Sequence, residues 1–321
     1  MNLNLLIDNL TNPALLFFVL GVIAVYLKSD LEIPPNSSKF ISLYLLFSIG
    51  FKGGQELSHE TFTSEIGWSM LFGISISALI PLYTFFILKR KLNVFDAGAI
   101  AAAYGSVSAV TFVTAVSYLE SYQLTLQGHM VAIMALMESP AIIIGLVLIS
   151  IYNKEETATK IKIPDVIKHS LTNGSVLLIL GSLVIGFIAN AKQAEGIKPF
   201  TNDLFKGFLA IFLLDMGITS GKKLKAFFSF GIFPFVFAVI IPLINGCLFA
   251  MLSSIVTDDI TNRFMFAVLA ASASYIAVPA AMKISVPNAN PGLYLPMALA
   301  VTFPINITVG MPLYFLIVQH F

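Results

Sequence analysis

The stretch ASASYIAVPAAMK, residues 271–283, interrupts an apolar run that is long enough to cross a bilayer. Ser272, Ser274, Tyr275 and Pro279 lie within eight consecutive residues there. Proline removes a backbone donor and disrupts the hydrogen bond to the preceding turn. Unwound backbone at membrane depth survives only where protein or a water-filled cavity satisfies its polar groups. The stretch therefore predicts a broken transmembrane helix whose break faces a polar site.

Apolar stretches recur from one end of the chain to the other. Of the 321 residues, 57% are hydrophobic and 11% are charged, whereas a soluble domain is about 25% charged. With roughly 20 residues for each crossing, the sequence predicts an all-α polytopic membrane protein with ten transmembrane spans. The predicted spans are 13–28, 38–56, 66–89, 95–118, 127–152, 172–190, 200–220, 226–254, 261–284 and 290–318.

Charge and cysteine content exclude several function classes. The net charge of +1 is uninformative, but the chain has no basic stripe, so we expect no nucleic-acid partner. The single Cys247 excludes an intramolecular disulfide. The four histidines have no metal-ligand spacing, so we expect no cofactor. No Lys or Arg precedes Lys28, so the first apolar run is predicted to be a retained helix rather than a secretory signal.

The basic residues predict an orientation. Thirteen of the 18 Lys and Arg residues lie in or next to the connections between spans one and two, three and four, five and six, seven and eight, and nine and ten. Connections rich in Lys and Arg stay in the cytoplasm. Both termini are then predicted to face outward.

The two halves of the chain resemble each other at an offset of about 165 residues. LGVIA at 20–24 matches IGFIA at 185–189, and YGSVSAV at 104–110 matches AASASYI at 270–276. The halves are 1–152 and 172–321, joined by a cytoplasmic linker at 153–171. Because each half holds five spans, the second copy enters the membrane from the opposite side. Such inverted repeats, with discontinuous helices at matching places (here spans four and nine), are typical of secondary transporters.

The paired breaks favour two ligands, a small anion and a cation. Half-helix N-termini carry partial positive charge and attract an anion, while freed carbonyl and hydroxyl oxygens suit a hard cation such as sodium. Small residues and proline kinks also occur at ordinary helix contacts. The alternative interpretation of either break, taken alone, is therefore a helix contact without a ligand. The spacings Gly50–Gly54 and Gly217–Gly221 are predicted to permit close helix contact rather than binding.

Glu138, in the segment LMESPA, lies near the middle of span five. An acid there costs about 2.5–3.5 kcal/mol on insertion scales and usually marks an ion path. The alternative is a protonated carboxyl bonded to a neighbouring helix. Its counterpart in the second half is Thr302, followed by Asn306. Asp215 lies nearer a helix end and is predicted to be structural.

Four segments carry a resemblance to a known family. YGSVSAVTF, MESPAI, ASASYIAVPAAMKISVPNANP and VTFPINITVGMPLY are similar to the sodium-dependent bicarbonate transporters known from cyanobacteria, and the similarity covers nearly the whole chain. The resemblance implies a gate part from spans one, two, six and seven, and a moving core from spans three to five and eight to ten. It also implies a homotrimer in a bacterial inner membrane.

The resemblance also implies the site residues. Bicarbonate is expected near the two breaks, at Gly105, Ser106, Ser108, Ser272, Ser274 and Tyr275. Sodium is expected near Thr111, Glu138, Thr302 and Asn306. Tyr275 stands where the cyanobacterial members carry aspartate, which leaves the sodium stoichiometry open. The linker is shorter than theirs, which weakens the expectation of a regulatory protein on the cytoplasmic side.

The sequence thus predicts a sodium-driven symporter for bicarbonate or a similar small anion. The alternative within transporters is a cation–proton antiporter that uses Glu138 as proton carrier. A membrane-embedded enzyme is disfavoured, because the spans contain no paired-carboxylate metal motif, no HExxH and no nucleophile–base pair.

Overall fold

The computed structural model describes residues 11–153, 172 and 174–321. Within these ranges the chain is helical and contains no strand. The predicted linker, apart from Asn153, lies outside the described residues. The helices are α1 (Pro13–Tyr26), α2 (Pro35–His59), α3 (Ser64–Leu88), α4 (Val94–Gly105), α5 (Ala109–Ser121), α6 (His129–Tyr152), α7 (Gly174–Ile188), α8 (Ala191–Lys198), α9 (Phe205–Phe227), α10 (Ile232–Leu252), α11 (Ile260–Ala271), α12 (Ala277–Ser285) and α13 (Pro291–His320, with π-helical turns at Met297–Thr302 and Asn306–Gly310).

Six helical segments in the described part of the chain are long and apolar enough to cross a membrane. They are Ser64–Leu88, Val94–Ser121, His129–Tyr152, Ala191–Leu224, Ile232–Ile255 and Pro291–His320. α1, α7 and α11 are apolar but shorter, and α2 carries Lys39, Lys52 and Glu56. The all-helical membrane class is thereby confirmed, while the count of ten crossings stays a prediction.

The seventh and eighth predicted spans have shifted boundaries. α9 continues to Phe227, and a 3-10 turn at Phe228–Phe230 then leads into Gly231. Gly231 has φ +85°, a left-handed conformation that glycine adopts at little cost. This turn ends one helix and starts α10 at Ile232, several residues later than the apolar pattern predicts.

Glycines bring two helix pairs into close contact. α2 packs against α7, and α1 packs against α9. A Cβ at Gly54 would overlap the Leu183 carbonyl of α7, and a Cβ at Gly217 would overlap the Phe18 carbonyl of α1. The expectation that the two glycine spacings permit close helix approach is confirmed, since missing side chains let backbones meet.

The remaining long helices contact one another around α4 and α11. α3, α4 and α6 pack together, as do α10, α11 and α13. α4 is alanine-rich, and its residues from Asp96 to Gly105 are all buried. In α11 every residue from Thr261 to Ala271 is buried. Both helices therefore run through the protein interior, and the chain breaks that follow them lie inside the protein.

Candidate functional site

The two chain breaks meet in the middle of the molecule. The Ser108 N–H donates to Ser272 Oγ at 3.1 Å, and the Ser274 N–H donates to the Ala103 carbonyl at 2.8 Å. Each break thus supplies hydrogen-bond partners that the other has lost by leaving the helix. These bonds satisfy part of the unwound backbone within the protein, which is one of the two ways that such backbone survives at membrane depth.

The first break lies between α4 and α5. Ser106 is extended, with φ −82° and ψ 175°, so the helix cannot continue past Gly105. Ser108 then starts α5, because its side-chain oxygen accepts the Thr111 N–H at 3.2 Å, an ordinary serine N-cap. Ser108 thus caps α5 with its hydroxyl oxygen and contacts the second break through its backbone N–H.

The second break lies between α11 and α12. The Ser272 hydroxyl donates to the Leu269 carbonyl at 2.9 Å and so caps the end of α11. The Ser274 hydroxyl accepts the Val278 N–H at 3.3 Å at the start of α12. Pro279 sits in the first turn of α12, where the missing N–H has no helical partner to lose. The proline therefore does not break a helix interior; the polar residues before it do.

Residues from both breaks line one small chamber, which we call the inner cavity. Its volume is about 20 Å³, which is room for a water or a single ion. Its lining residues are Leu46, Val107, Ser108, Ala109, Met134, Glu138, Ser175, Ile179, Ser274, Tyr275, Ile276 and Ala277. The first turns of α5 and α12 thus face the same space, opposite α2 and α7.

A larger cleft, the vestibule, adjoins the inner cavity. Its volume is about 590 Å³. It is lined by Glu32, Ile33, Pro35, Ser38, Lys39, Ser42, Leu43, Ser175, Phe212, Asp215, Met216, Ile218, Thr219, Lys222, Tyr275, Ile276 and Leu299. Lys39 and Lys222 belong to the connections that hold most of the basic residues, so the vestibule opens on this lysine-rich face.

Tyr275 and Ile276 border both spaces, as does Ser175. The Tyr275 ring packs edge-on against Phe303, with 6.4 Å between ring centres. Its hydroxyl is buried near Ser108 and forms no hydrogen bond of normal geometry among the described residues. A buried hydroxyl without a partner is costly, so this group is a candidate donor to a bound ligand.

The structure separates the predicted anion residues into two groups. Ser108, Ser274 and Tyr275 line the inner cavity. Ser272 is bonded to Ser108, one step behind it. Ser106 and Gly105 do not line it.

Gly105 and Ser106 serve the packing around the first break. A Cβ on Gly105 would overlap the ring of Pro81 in α3. The Ser106 hydroxyl donates to the Glu138 carbonyl at 3.2 Å, which ties the break to α6. These two residues thus act on the shape of the site, and Ser106 holds the backbone from which the Glu138 side chain extends.

The predicted cation residues are also divided. Glu138 alone among them lines the inner cavity, and Thr111 lies one turn into α5. Thr302 Oγ1 donates to the Ala238 carbonyl at 2.7 Å and lies 2.7 Å from the Tyr104 hydroxyl. Asn306 donates to the Ala271 carbonyl at 2.7 Å and accepts from Tyr314 at 3.0 Å. The oxygens of Thr302 and Asn306 are therefore already engaged within the protein.

Sequence reasoning missed the wall formed by Leu46, Ser175 and Ile179. These residues come from α2 and α7 and face the two breaks. A leucine, a serine and an isoleucine in apolar helices resemble any packing residues, so no local signal distinguishes them. Among the described residues, no group of three or more His, Cys, Asp and Glu could hold a metal ion.

On the face opposite the vestibule, α2 is tied to α5 and α6. Lys52 Nζ of α2 lies 2.6 Å from Glu120 Oε1 of α5. Glu60, just beyond α2, lies 2.8 Å from His129 Nδ1 and accepts the Gly128 N–H at the start of α6. Burial opposes ionisation of Glu60, but the hydrogen bonds and charge of His129 outweigh it and lower the pKa of this carboxyl. We call these contacts the outer clasp.

Comparison with known families identifies one family for this chain. A family model described as the Na+-dependent bicarbonate transporter superfamily matches residues 13–319. A search of curated proteins found no match. The family match covers the two breaks, Glu138 and both walls of the inner cavity.

Proposed function

Since the chain belongs to the Na+-dependent bicarbonate transporter superfamily, we propose that it carries bicarbonate together with sodium across the membrane by alternating access. The observation that carries this proposal is the convergence of two half-helix N-termini and one carboxylate on the inner cavity. The apolar helices fit a membrane transporter.

The anion would bind at the first turns of α5 and α12. These helices have 13 and 9 residues, and each N-terminus carries roughly half a positive charge. Ser108, Ser274 and the Tyr275 hydroxyl would add polar contacts. The inner cavity in this state holds a single ion, so a bicarbonate would also require the Tyr275 ring to move toward the vestibule.

Sodium would bind beside Glu138. Its carboxylate is the acidic group that lines the inner cavity, and Thr111 lies near the same helix start. A cation there offsets the carboxylate, which otherwise repels an anion, so sodium and bicarbonate raise each other's affinity by the same factor. Thr302 and Asn306 would hold the geometry of the site, or join the ion only after releasing their present partners.

Alternating access would come from movement of one group of helices against the other. α1, α2, α7 and α9 pair through glycine contacts, which favours a rigid gate. α3 to α6 and α10 to α13 would form the moving core, and the two breaks lie within it. The equivalence of the two halves supports ten crossings in inverted repeats, with the two half-chains 1–152 and 172–321 as the units.

The proposed setting is a bacterial inner membrane, with the lysine-rich face in the cytoplasm and both termini outside. Exposed apolar side chains on α1 and α7, such as Leu20 and Ile185, suit contact with lipid or with other subunits of a homotrimer. The coupling needs no cofactor besides the sodium ion.

Uptake of labelled bicarbonate by purified protein in liposomes tests the proposal. We expect uptake to depend on sodium in the wild type and to lose that dependence in Glu138→Gln. Glu195→Gln is the matched control, because Glu195 is exposed on α8 and its replacement should change nothing. Ser108→Ala with Ser274→Ala should raise the KM for bicarbonate about tenfold. Sodium-independent uptake by the wild type, or unchanged sodium activation in Glu138→Gln, would contradict the proposal.

One observation favours a second candidate, cation–proton antiport. Glu138 is partly buried at the inner cavity and forms no ion pair with a basic residue in the part of the chain that the structure describes, which suits a proton carrier. An antiporter would move sodium in response to a pH gradient without bicarbonate. Flux of ²²Na+ driven by a pH gradient in bicarbonate-free buffer would support this function and contradict symport.

A further inference from the structure

The charge of the inner cavity determines how much charge a transport cycle moves. Its 12 lining residues include one carboxylate, that of Glu138, and no Lys or Arg. Two further acids, Glu32 and Asp215, line the vestibule; Asp215 lies in α9 and accepts a hydrogen bond from Ser38. The inner cavity itself is therefore lined by one fixed negative charge.

We propose that one sodium ion accompanies each bicarbonate and that the cycle is electroneutral; this inference rests on the proposed function. With Glu138 ionised, the empty site carries one negative charge. One sodium and one bicarbonate add charges that cancel, so the loaded site carries the same charge. The moving part of the protein then crosses the membrane field with equal charge in both directions.

A second sodium has no place in this site. An intramembrane ion needs a compensating charge or several oxygens, and Tyr275 contributes a neutral phenol where the two spaces meet. The oxygens of Thr302 and Asn306 are bonded within the protein.

Position 275 offers a way to change the stoichiometry. Its side chain borders both the inner cavity and the vestibule and lies near Ser108. Tyr275→Asp would add a second carboxylate, which a second sodium would neutralise. The empty site would then carry two negative charges and the loaded site one, so each turnover would move one net positive charge with the substrate.

The experiment measures initial bicarbonate uptake in proteoliposomes against sodium concentration and membrane potential. For the wild type we expect a Hill coefficient for sodium of about 1 and equal rates with and without an inside-negative potential set by potassium and valinomycin. For Tyr275→Asp we expect a Hill coefficient of about 2 and a current on substrate addition. Tyr275→Asn, neutral and of the same size as aspartate, should keep the wild-type coefficient and give no current.

The possible results distinguish one-to-one coupling from sodium-dependent symport itself. A wild-type Hill coefficient near 2, or accumulation that rises about tenfold with ~60 mV of potential, would overturn one-to-one coupling and leave symport intact. Uptake that ignores sodium would overturn the proposed function itself and this inference with it. If Tyr275→Asp does not fold, the wild-type coefficient and potential dependence still decide the inference.

Discussion

The interface between α2 and the broken helices differs at its two ends: a cleft separates the helices at one end, and ion pairs join them at the other. On the lysine-rich face, the vestibule of about 590 Å³ separates α2 and α9 from the second break and reaches Tyr275. On the opposite face, the outer clasp ties α2 to α5 and α6 through Lys52–Glu120 and Glu60–His129. The site is therefore accessible from one side and closed from the other.

The chemistry of the closed face suits repeated opening. The Lys52 and Glu120 side chains remain 29% and 24% exposed, and such ion pairs contribute about 0–1 kcal/mol each. A fully buried apolar seal would cost far more to separate. The difference between the faces indicates a state with the site open to the lysine-rich side, in which the clasp is a weak closure.

The largest expected effect comes from forcing the closed face apart. A Cβ at Gly128 would overlap the Gly53 carbonyl and the backbone and side chain of Leu57. Overpacking of this kind costs about 1–3 kcal/mol. It would destabilise the state in which this face is closed relative to the state in which it is open. We expect Gly128→Ala to reduce bicarbonate uptake roughly tenfold or more.

Gly67→Ala is the control for this variant, since nothing lies within 4 Å of its added Cβ. It should retain wild-type uptake and melting temperature. Normal uptake by Gly128→Ala would show that the close contact at this face is unimportant for the cycle.

The second largest effect is expected from blocking the vestibule on the open face. In a background of Cys247→Ala, Thr219→Cys places a thiol in the vestibule. A membrane-impermeant thiol reagent applied from the lysine-rich side should modify it and reduce uptake about tenfold, because the adduct obstructs the route to Tyr275. Thr63→Cys, exposed before α3 on the opposite face, should react only from that side with uptake unchanged. Reaction of Thr219→Cys from the opposite side alone would reverse the assignment of the two faces.

A smaller effect is expected from the ion pair of the clasp. Lys52→Glu turns the contact with Glu120 into a repulsion, which costs about 1 kcal/mol or a fivefold shift of the conformational equilibrium. Combining it with Glu120→Lys should restore part of the loss, because Lys206 Nζ lies 3.9 Å from Glu120 and would then face a like charge. Uptake rates and thiol labelling of the vestibule measure both variants, and failure of the exchange to rescue would mean that the pair does not act as a unit.

The smallest expected effect is the pH response of Glu60. Because its pKa is lowered by His129, this contact stabilises the closed face above the ordinary carboxylate range and is lost as the pH falls through the lowered value. The Gly128 amide, which donates to Glu60, should lose its hydrogen-exchange protection in that acidic window. Glu60→Gln should show no loss of protection in that pH range. If the wild type and this variant lose protection at the same pH, the titrating group is not Glu60.

The helical plan was readable from the sequence because it depends on local patterns. Each predicted span falls on a helix or a pair of helices, since apolar length and helix signals act within one stretch of chain. The two breaks were also found, at Ser106–Ser108 and after Ala271. The boundary between α9 and α10 was missed, because the conformation of Gly231 leaves no trace in hydropathy.

The site was less readable, because its partners are distant in the chain. Nothing local shows that Asn306 is bonded to Ala271 and Tyr314, or that Gly105 packs against Pro81. The sequence therefore predicted polar residues near the breaks without separating those that face the cavity from those that support it. Glu138 was an exception, because an acid in the middle of an apolar span is costly wherever it points.

The sequence by itself determined a membrane protein with two interrupted helices and one acid between them, since these follow from composition, proline and serine placement, and the cost of charge in lipid. Only the tertiary structure decided that the breaks bond to each other, through Ser108 and Ser272 across 164 positions. It also decided which side chains enclose the ion-sized cavity. Such long-range contacts depend on how whole helices pack, and no short stretch of sequence specifies that packing.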